Sequence, residues 1–254
     1  MVEYVDNPAG RLRTLLLDLH ARSNTDQMQK QKPAWEAILE LAEVDGTSVA
    51  REVAVVGAVV SLPAQVREAV RALPVDDERQ EQLLTHLDGV ERGMAAVLTR
   101  QSLWTVFTAF ATGGVVPQSA AISSLSFCSY ELHRHAPEPV ISDEDLERVI
   151  DLINELIVEV AAATLPDQVK RAMLNHLFAL LHAAHNVRFA GTQPLDDALF
   201  ALMGATGRVN AQEDLERVGL WQRIKDAVQT LDTMLSAGQG AAQLGQGIAG
   251  FLGG

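Results

Sequence analysis

The chain of 254 residues has very little cysteine, few aromatics and a shortage of positive charge. Cys128 is the only cysteine, so no intramolecular disulfide can form, and a reducing cytoplasmic location is expected. Aromatic residues make up 5% of the chain against 48% hydrophobic residues, so the core must be built from Leu, Val, Ile and Ala. That composition suits helix packing better than a β-sandwich. Lys and Arg total 20 against 33 acids, for a net charge of −13, with no basic cluster. A nucleic-acid partner is therefore not expected, because phosphate neutralisation needs a basic face. Solubility accounts for the acidity. Residues Met1 to Asp6 lack a basic region followed by an apolar run, so no secretion signal is expected. No continuous apolar stretch reaches the roughly 20 residues of a membrane span. No catalytic, metal, nucleotide or nucleic-acid motif stands out.

What is there is helical periodicity, clearest from Ser142 to Gly204. Ser142 with Asp145 fits a capping box, whose side-chain oxygens satisfy the orphan amides of a first turn. Leu146, Val149, Ile150, Ile153, Leu156, Ile157 and Val160 then recur at three- and four-residue steps, one face of a helix. Thr164-Leu165-Pro166-Asp167 reads as a tight corner, with Thr164 able to cap. A second helix carries Val169, Met173, Leu177, Leu180, Leu181 and Ala184 on one face, and Gly191 is its expected stop. Two helices joined this tightly are expected to form an antiparallel hairpin.

Similar patterns run through the rest. Asn7-Pro8 opens a helix bearing Leu12, Leu15, Leu16 and Leu19; Ser23 to Gln31 reads as a loop; Pro33 starts a helix facing Trp35, Ile38, Leu39 and Ala42 inward, ended by Asp45-Gly46. Thr47 to Val60 fits both a helix, with Val49, Val53, Val56 and Val60 on one face, and a buried strand. Helix is expected, because no other strand is available to pair with it. Asp76 to Leu98 reads as one long helix, and Leu103 to Phe110 stays apolar until Gly113-Gly114. Ser119 to Ser129 fits either a helix with a polar face or a looser connector. Ala136-Pro137-Glu138-Pro139 is the clearest break. Beyond Gly191, Leu195, Leu199 and Leu202 suggest a short helix ending at Gly204, and Asn210 with Glu213 suggests the cap of a last one.

Ser61-Leu62-Pro63-Ala64-Gln65-Val66-Arg67 is echoed by Thr164-Leu165-Pro166-Asp167-Gln168-Val169-Lys170, and Leu83-Leu84-Thr85-His86-Leu87 by Met173-Leu174-Asn175-His176-Leu177. Two echoes in the same order favour a duplication over convergent reuse of a good helix start. The expected fold is therefore all-α: a multi-helix bundle built from two related helical halves, residues 1–136 and 140–236, with a glycine-rich uncharged tail at 237–254. The stretch 146–204, with its Leu165-Pro166 corner, the Met173 to Leu177 run and the Gly191 stop, resembles a segment of many uncharacterised bacterial proteins. The resemblance implies an all-helical bacterial protein and carries no activity.

The residues able to do chemistry have blander explanations. His182 and His185 have ligand-compatible spacing, but no acid or cysteine stands near them to complete a zinc site. His176 and His86 occupy echoing positions, which suggests a shared structural role. Cys128, with Ile122 and Leu125 at helical spacing, fits a core position better than a nucleophile paired with His133 or His135. Gly113-Gly114 is too short for a phosphate cradle, and a helix cap explains Asp143, Glu144 and Asp145. No catalytic residue, metal site or cofactor is expected.

One composition is unusual. From Thr233 to Gly254 no residue is charged. Leu244, Ile248 and Leu252 form one stripe, and Ala241, Gly245 and Ala249 a small-residue stripe beside it, as in closely packed helix pairs. The function expected is a non-catalytic helical interaction or assembly protein that self-associates or binds a protein partner. The alternatives are membrane association through this tail and an enzyme of unrecognised type.

Overall fold

A computed structural model of the chain describes residues 4–24, 27–44, 48–210 and 220–236. Its helices begin where short polar side chains can hold the first-turn amides. Asn7 Oδ1 accepts from the amide of Gly10 at 2.9 Å, Asp76 from Arg79, Ser102 from Thr105, Ser119 from Ile122, and Ser142 from Asp145 at 3.1 Å. Such caps are worth about 1 kcal/mol each. They open α1 (Pro8–Ser23), α5 (Asp77–Leu84), α7 (Leu103–Thr108), α8 (Ala120–His135) and α9 (Asp143–Ala162). The remaining helices are α2 (Gln27–Lys30), α3 (Ala34–Leu41), α4 (Val49–Arg71), α6 (Leu87–Leu98), α10 (Asp167–Ala190), α11 (Gln193–Asn210) and α12 (Leu220–Ser236). Two short 3-10 turns precede α8. The fold is all-α: among the described residues no strand forms, only an isolated bridge between Pro33 and Ser102.

The chain divides into two compact units, one reaching Pro137 and including Arg188–Ala190, the other formed by Glu138–Val187 and the residues from Gly191 on. In the first unit α1 is central and packs most extensively against α8 and α4. Leu12, Leu16 and Leu19 of α1 share a core with Val56, Leu62, Met94 and Leu132. In the second unit the core gathers Ile153 and Leu156 of α9, Met173 and Leu177 of α10, Leu199 of α11 and Ile224 of α12. Both cores are almost wholly aliphatic, as the low aromatic content requires. In the second unit α12 packs most extensively against α9 and α11, and α9 and α10 contribute side chains to the same core.

Several helices differ in detail from their sequence patterns. Asp76–Leu98 is broken at Thr85-His86 into α5 and α6. Ser23–Gln31 contains the single turn α2, and Ser119–Ser129 lies within the cap and body of α8. The Val49–Val60 stretch is helical, but Val49 and Val53 are exposed; the buried face runs through Val55, Val56, Val59 and Leu62. Val56 is buried and Val60 packs against the core as expected, but valines line that helix on several sides, so periodicity alone wrongly placed Val49 and Val53 on the inner face. α4, of 23 residues, is also long and apolar enough to cross a membrane by length and composition, with an 18-residue stretch of mean hydropathy 1.5. Its inner valines pack in the core of the first unit.

Pro63 lies inside α4, while Pro166 occupies the N-cap of α10. Proline removes one helix hydrogen bond wherever it sits in a helix interior, and α4 carries that loss at a buried position. Thr164 does not cap α10: its cap position is Pro166, with no side-chain hydrogen bond. α10 ends as expected at Gly191, whose φ of 77° is a left-handed conformation that glycine adopts cheaply. α11 runs past Gly204 instead of stopping there. An interior glycine only costs about 1 kcal/mol, which the neighbouring buried Leu202 and Met203 offset. The expected stop at Asp45-Gly46, the Glu213 capping partner and the tail lie outside the described residues.

Candidate functional site

Gly10 sits in the first turn of α1, directly beneath the chain that leads into it. A Cβ built on Gly10 would lie 1.6 Å from the carbonyl oxygen of Tyr4 and 2.9 Å from Ser129 Oγ. The absence of a side chain there lets residues 4–7 cross over α1 and dock on α8. Ser129 Oγ donates to Tyr4 O at 2.9 Å, and Asn7 Nδ2 donates to Ser129 O at 3.2 Å. Tyr4 stacks on the His133 ring with centroids 3.8 Å apart, and His133 Nδ1 lies 2.5 Å from Asp6 Oδ2. The lead-in segment is thus a strap held by hydrogen bonds, a ring stack and an acid–imidazole contact.

Next to the strap lies a cleft of about 650 Å³ within the first unit. Its size is within the range of small-ligand sites. Its apolar wall includes Ile122, Phe127, Pro117 and Tyr130, and both tyrosines of the chain, Tyr4 and Tyr130, line it. Phe127 and Tyr130 stand on the outer face of α8, 64% and 46% exposed, opposite the buried stripe of Ile122, Leu125, Cys128 and Leu132. The charged lining is Arg13, Arg79 and Glu131. Arg13 Nε donates to Ser126 Oγ at 2.8 Å, and Arg79 Nη2 pairs with Glu131 at 2.9 Å, so both guanidinium groups are held in place. Arg134 lies over the Tyr130 ring at 5.7 Å, a cation–π contact. A smaller pit of about 110 Å³ lies between His20, Lys30, Trp104 and Gly114. Burial, and then the nearby Lys30, lower the pKa of its His20.

The residues singled out in the sequence do not converge on this cleft. Cys128 is buried, its Sγ donates to Leu83 O at 3.3 Å, and burial pushes its thiol up to about 12. A thiol of that kind is not a nucleophile at neutral pH. Folded protein should therefore resist alkylation by iodoacetamide at pH 8 and react once denatured; labelling at equal rates in both states would remove Cys128 from the core. His133 is engaged by the strap, and His135 lies 3.9 Å from Glu131.

The histidine echo does not extend to structure: His86 is exposed at the α5–α6 break, while His176 is half-buried within α10. His182 accepts a hydrogen bond from Asn186 Nδ2 at its own carbonyl, 2.9 Å away. Among the described residues no three His, Cys, Asp or Glu side chains cluster to hold a metal ion. Gly113 and Gly114 take positive φ in a 3-10 turn, and Trp104 packs against Gly114. Ser142 Oγ caps the Asp145 amide as expected and donates to Asp145 Oδ2 at 2.7 Å, with Asp143 and Glu144 in the same first turn. Leu244, Ile248, Leu252, Ala241, Gly245 and Ala249 lie outside the described residues.

The cleft was missed in the sequence for a definite reason. Its parts come from residues 4–13, 79 and 117–131, and only folding brings them together. One signal was present: Phe127 and Tyr130 fall off the apolar stripe of α8 in a chain poor in aromatics. Comparison with protein-family models, curated proteins and solved structures finds no match.

Proposed function

We propose that the chain is a non-catalytic helical interaction or assembly protein, that it self-associates, and that the outer face of α8 is its contact surface. The observation that carries this reading is the pair of exposed aromatics, Phe127 and Tyr130, at the rim of the cleft. Aromatic and Arg side chains clustered around a pit are the usual anchors of protein interfaces, and exposed apolar groups beside one another tend to be covered in use. The single buried cysteine is consistent with a cytoplasmic setting, and the net charge of −13 disfavours a nucleic-acid partner. The relation between the two helical halves we infer from the sequence echoes alone. Their unlike local structures, one proline inside a helix and the other at a corner, weigh against it.

A second reading, membrane association through the tail, is favoured by the uncharged run from Thr233 to Gly254. One experiment separates the two. Multi-angle light scattering over a concentration series should give the full chain a mass above its 27.4 kDa monomer. The Phe127→Ser/Tyr130→Ser double variant should fall back to monomer, and deletion of residues 237–254 should leave the mass unchanged. A strictly monomeric wild type, or a double variant that associates as before, would sink the proposal. Flotation with liposomes that disappears on deleting the tail would favour the membrane reading.

A further inference from the structure

We infer that the cleft between the strap and α8 binds a small, flat, uncharged aromatic molecule, held by the pair of tyrosines in its wall. The inference rests on the reading of the α8 face as a binding surface and adds the chemical class of one small occupant. The cleft volume of about 650 Å³ is that of a small-molecule site. Its polar groups are already in use. Ser126 Oγ donates to Ile122 O at 2.9 Å, Ser129 Oγ donates to Tyr4 O at 2.9 Å, and Ser123 Oγ donates to Ser119 O. Arg13 Nε donates to Ser126 Oγ at 2.8 Å, and Arg13 has a further partner besides. Arg79 and Glu131 neutralise each other at 2.9 Å, and His135 lies 3.9 Å from the same carboxylate. A charged occupant would give up its hydration here without gaining a matching ion pair.

What the cleft still offers is apolar and aromatic. Pro117, Ile122 and Phe127 line it beside Tyr4 and Tyr130. The two tyrosine rings stand with centroids 6.4 Å apart and planes at 53°, which makes an aromatic corner. Both rings are supported by neighbours: Tyr4 stacks on His133 at 3.8 Å, and Arg134 lies over the Tyr130 ring at 5.7 Å. Rings held in place beforehand lose little freedom when a ligand arrives. Two rings set at an angle suit a third, which can lie offset on one face and meet the other edge-on. A flat ring system gains these contacts together with apolar burial, and a polyanion gains neither.

The test is isothermal titration of the full chain at neutral pH with 2-naphthol, against 2-naphthoate and decahydro-2-naphthol. The first control carries the same rings with a charge, and the second carries the same skeleton and hydroxyl without aromaticity. Naphthol should bind saturably with one site per chain, about tenfold or more tightly than naphthoate. It should also bind about threefold or more tightly than the saturated alcohol. Ser123→Trp, at an exposed position on the cleft wall, should abolish binding without touching the core. Tyr130→Leu, which keeps apolar bulk and removes the ring, should erase the preference over the saturated alcohol, with circular dichroism verifying that each variant is folded. Phe178→Ser, which removes an exposed aromatic from the second unit, should bind as wild type does. No saturable binding of naphthol, equal affinity for either control compound, or binding that survives Ser123→Trp would each overturn the inference. So would a Tyr130→Leu variant that still prefers the aromatic ring. Absent naphthol binding alongside a Phe127→Ser/Tyr130→Ser effect on molecular mass would reject the ligand class alone. The larger reading fails if that mass does not change.

Discussion

Leu177→Glu should unfold the second unit, while Pro166→Ala, eleven residues earlier at the start of the same helix, should change stability by less than about 1 kcal/mol. Leu177 is fully buried in the centre of α10, among Ile153, Met173 and Leu180. Removing its aliphatic side chain alone costs about 2–5 kcal/mol. Glutamate adds a carboxylate to a cluster of apolar side chains; burying it charged or burying it protonated without a partner costs several kcal/mol more. The sum is comparable to the whole stability of an ordinary domain. Pro166 differs in each respect: it is exposed, it occupies the cap position, and no amide of its own is needed there. Its carbonyl accepts from the amide of Lys170, a bond that alanine keeps. Thermal melts followed by circular dichroism decide the matter. Comparable melting temperatures for the two variants would mean that the face of α10 has been misassigned.

That contrast was legible in the sequence because α9 and α10 each carry one apolar stripe and an unambiguous start. Ser142 is followed by a three-acid first turn, and Gly191 stands where α10 must stop. Helix existence, the aliphatic core and the inward faces of α1, α9 and α10 all follow from such local signals. The failures also have physical causes. α4 is valine-rich around its circumference, so its buried face is set by what packs against it, not by its own period. Leu-Pro reads as a helix start in isolation, yet at Leu62-Pro63 the flanking helix is long enough, at 23 residues, to carry a missing hydrogen bond. The same words therefore have different structures at 61–67 and 164–170. The cleft was invisible for a third reason: it joins the strap, α1, the start of α5, the 3-10 turn at Pro117 and α8, and no periodicity within one element encodes a meeting of five segments.

Gly10→Ala should destabilise the first unit, against the direction that helix propensity alone predicts. Alanine within a helix is favoured over glycine by about 1 kcal/mol. At Gly10 the new methyl would meet the Tyr4 carbonyl oxygen at 1.6 Å and its carbonyl carbon at 2.7 Å. These are backbone atoms, which no rotamer change can move aside. Either the strap lifts or the first turn of α1 shifts. Lifting the strap breaks the Ser129–Tyr4 hydrogen bond and the stack on His133, and it opens the cleft wall that Tyr4 supplies. Overpacking of this kind costs about 1–3 kcal/mol, enough to overcome the propensity gain. Gly57 supplies the control: it is exposed on α4 with nothing within 4 Å of an added Cβ. Gly57→Ala should stabilise by up to about 1 kcal/mol. Calorimetry of the two variants should give shifts of opposite sign, and amide exchange should accelerate at residues 4–7 in Gly10→Ala only. If both substitutions raise the melting temperature, the strap does not sit on α1 as described, and the wall that Tyr4 gives the cleft goes with it.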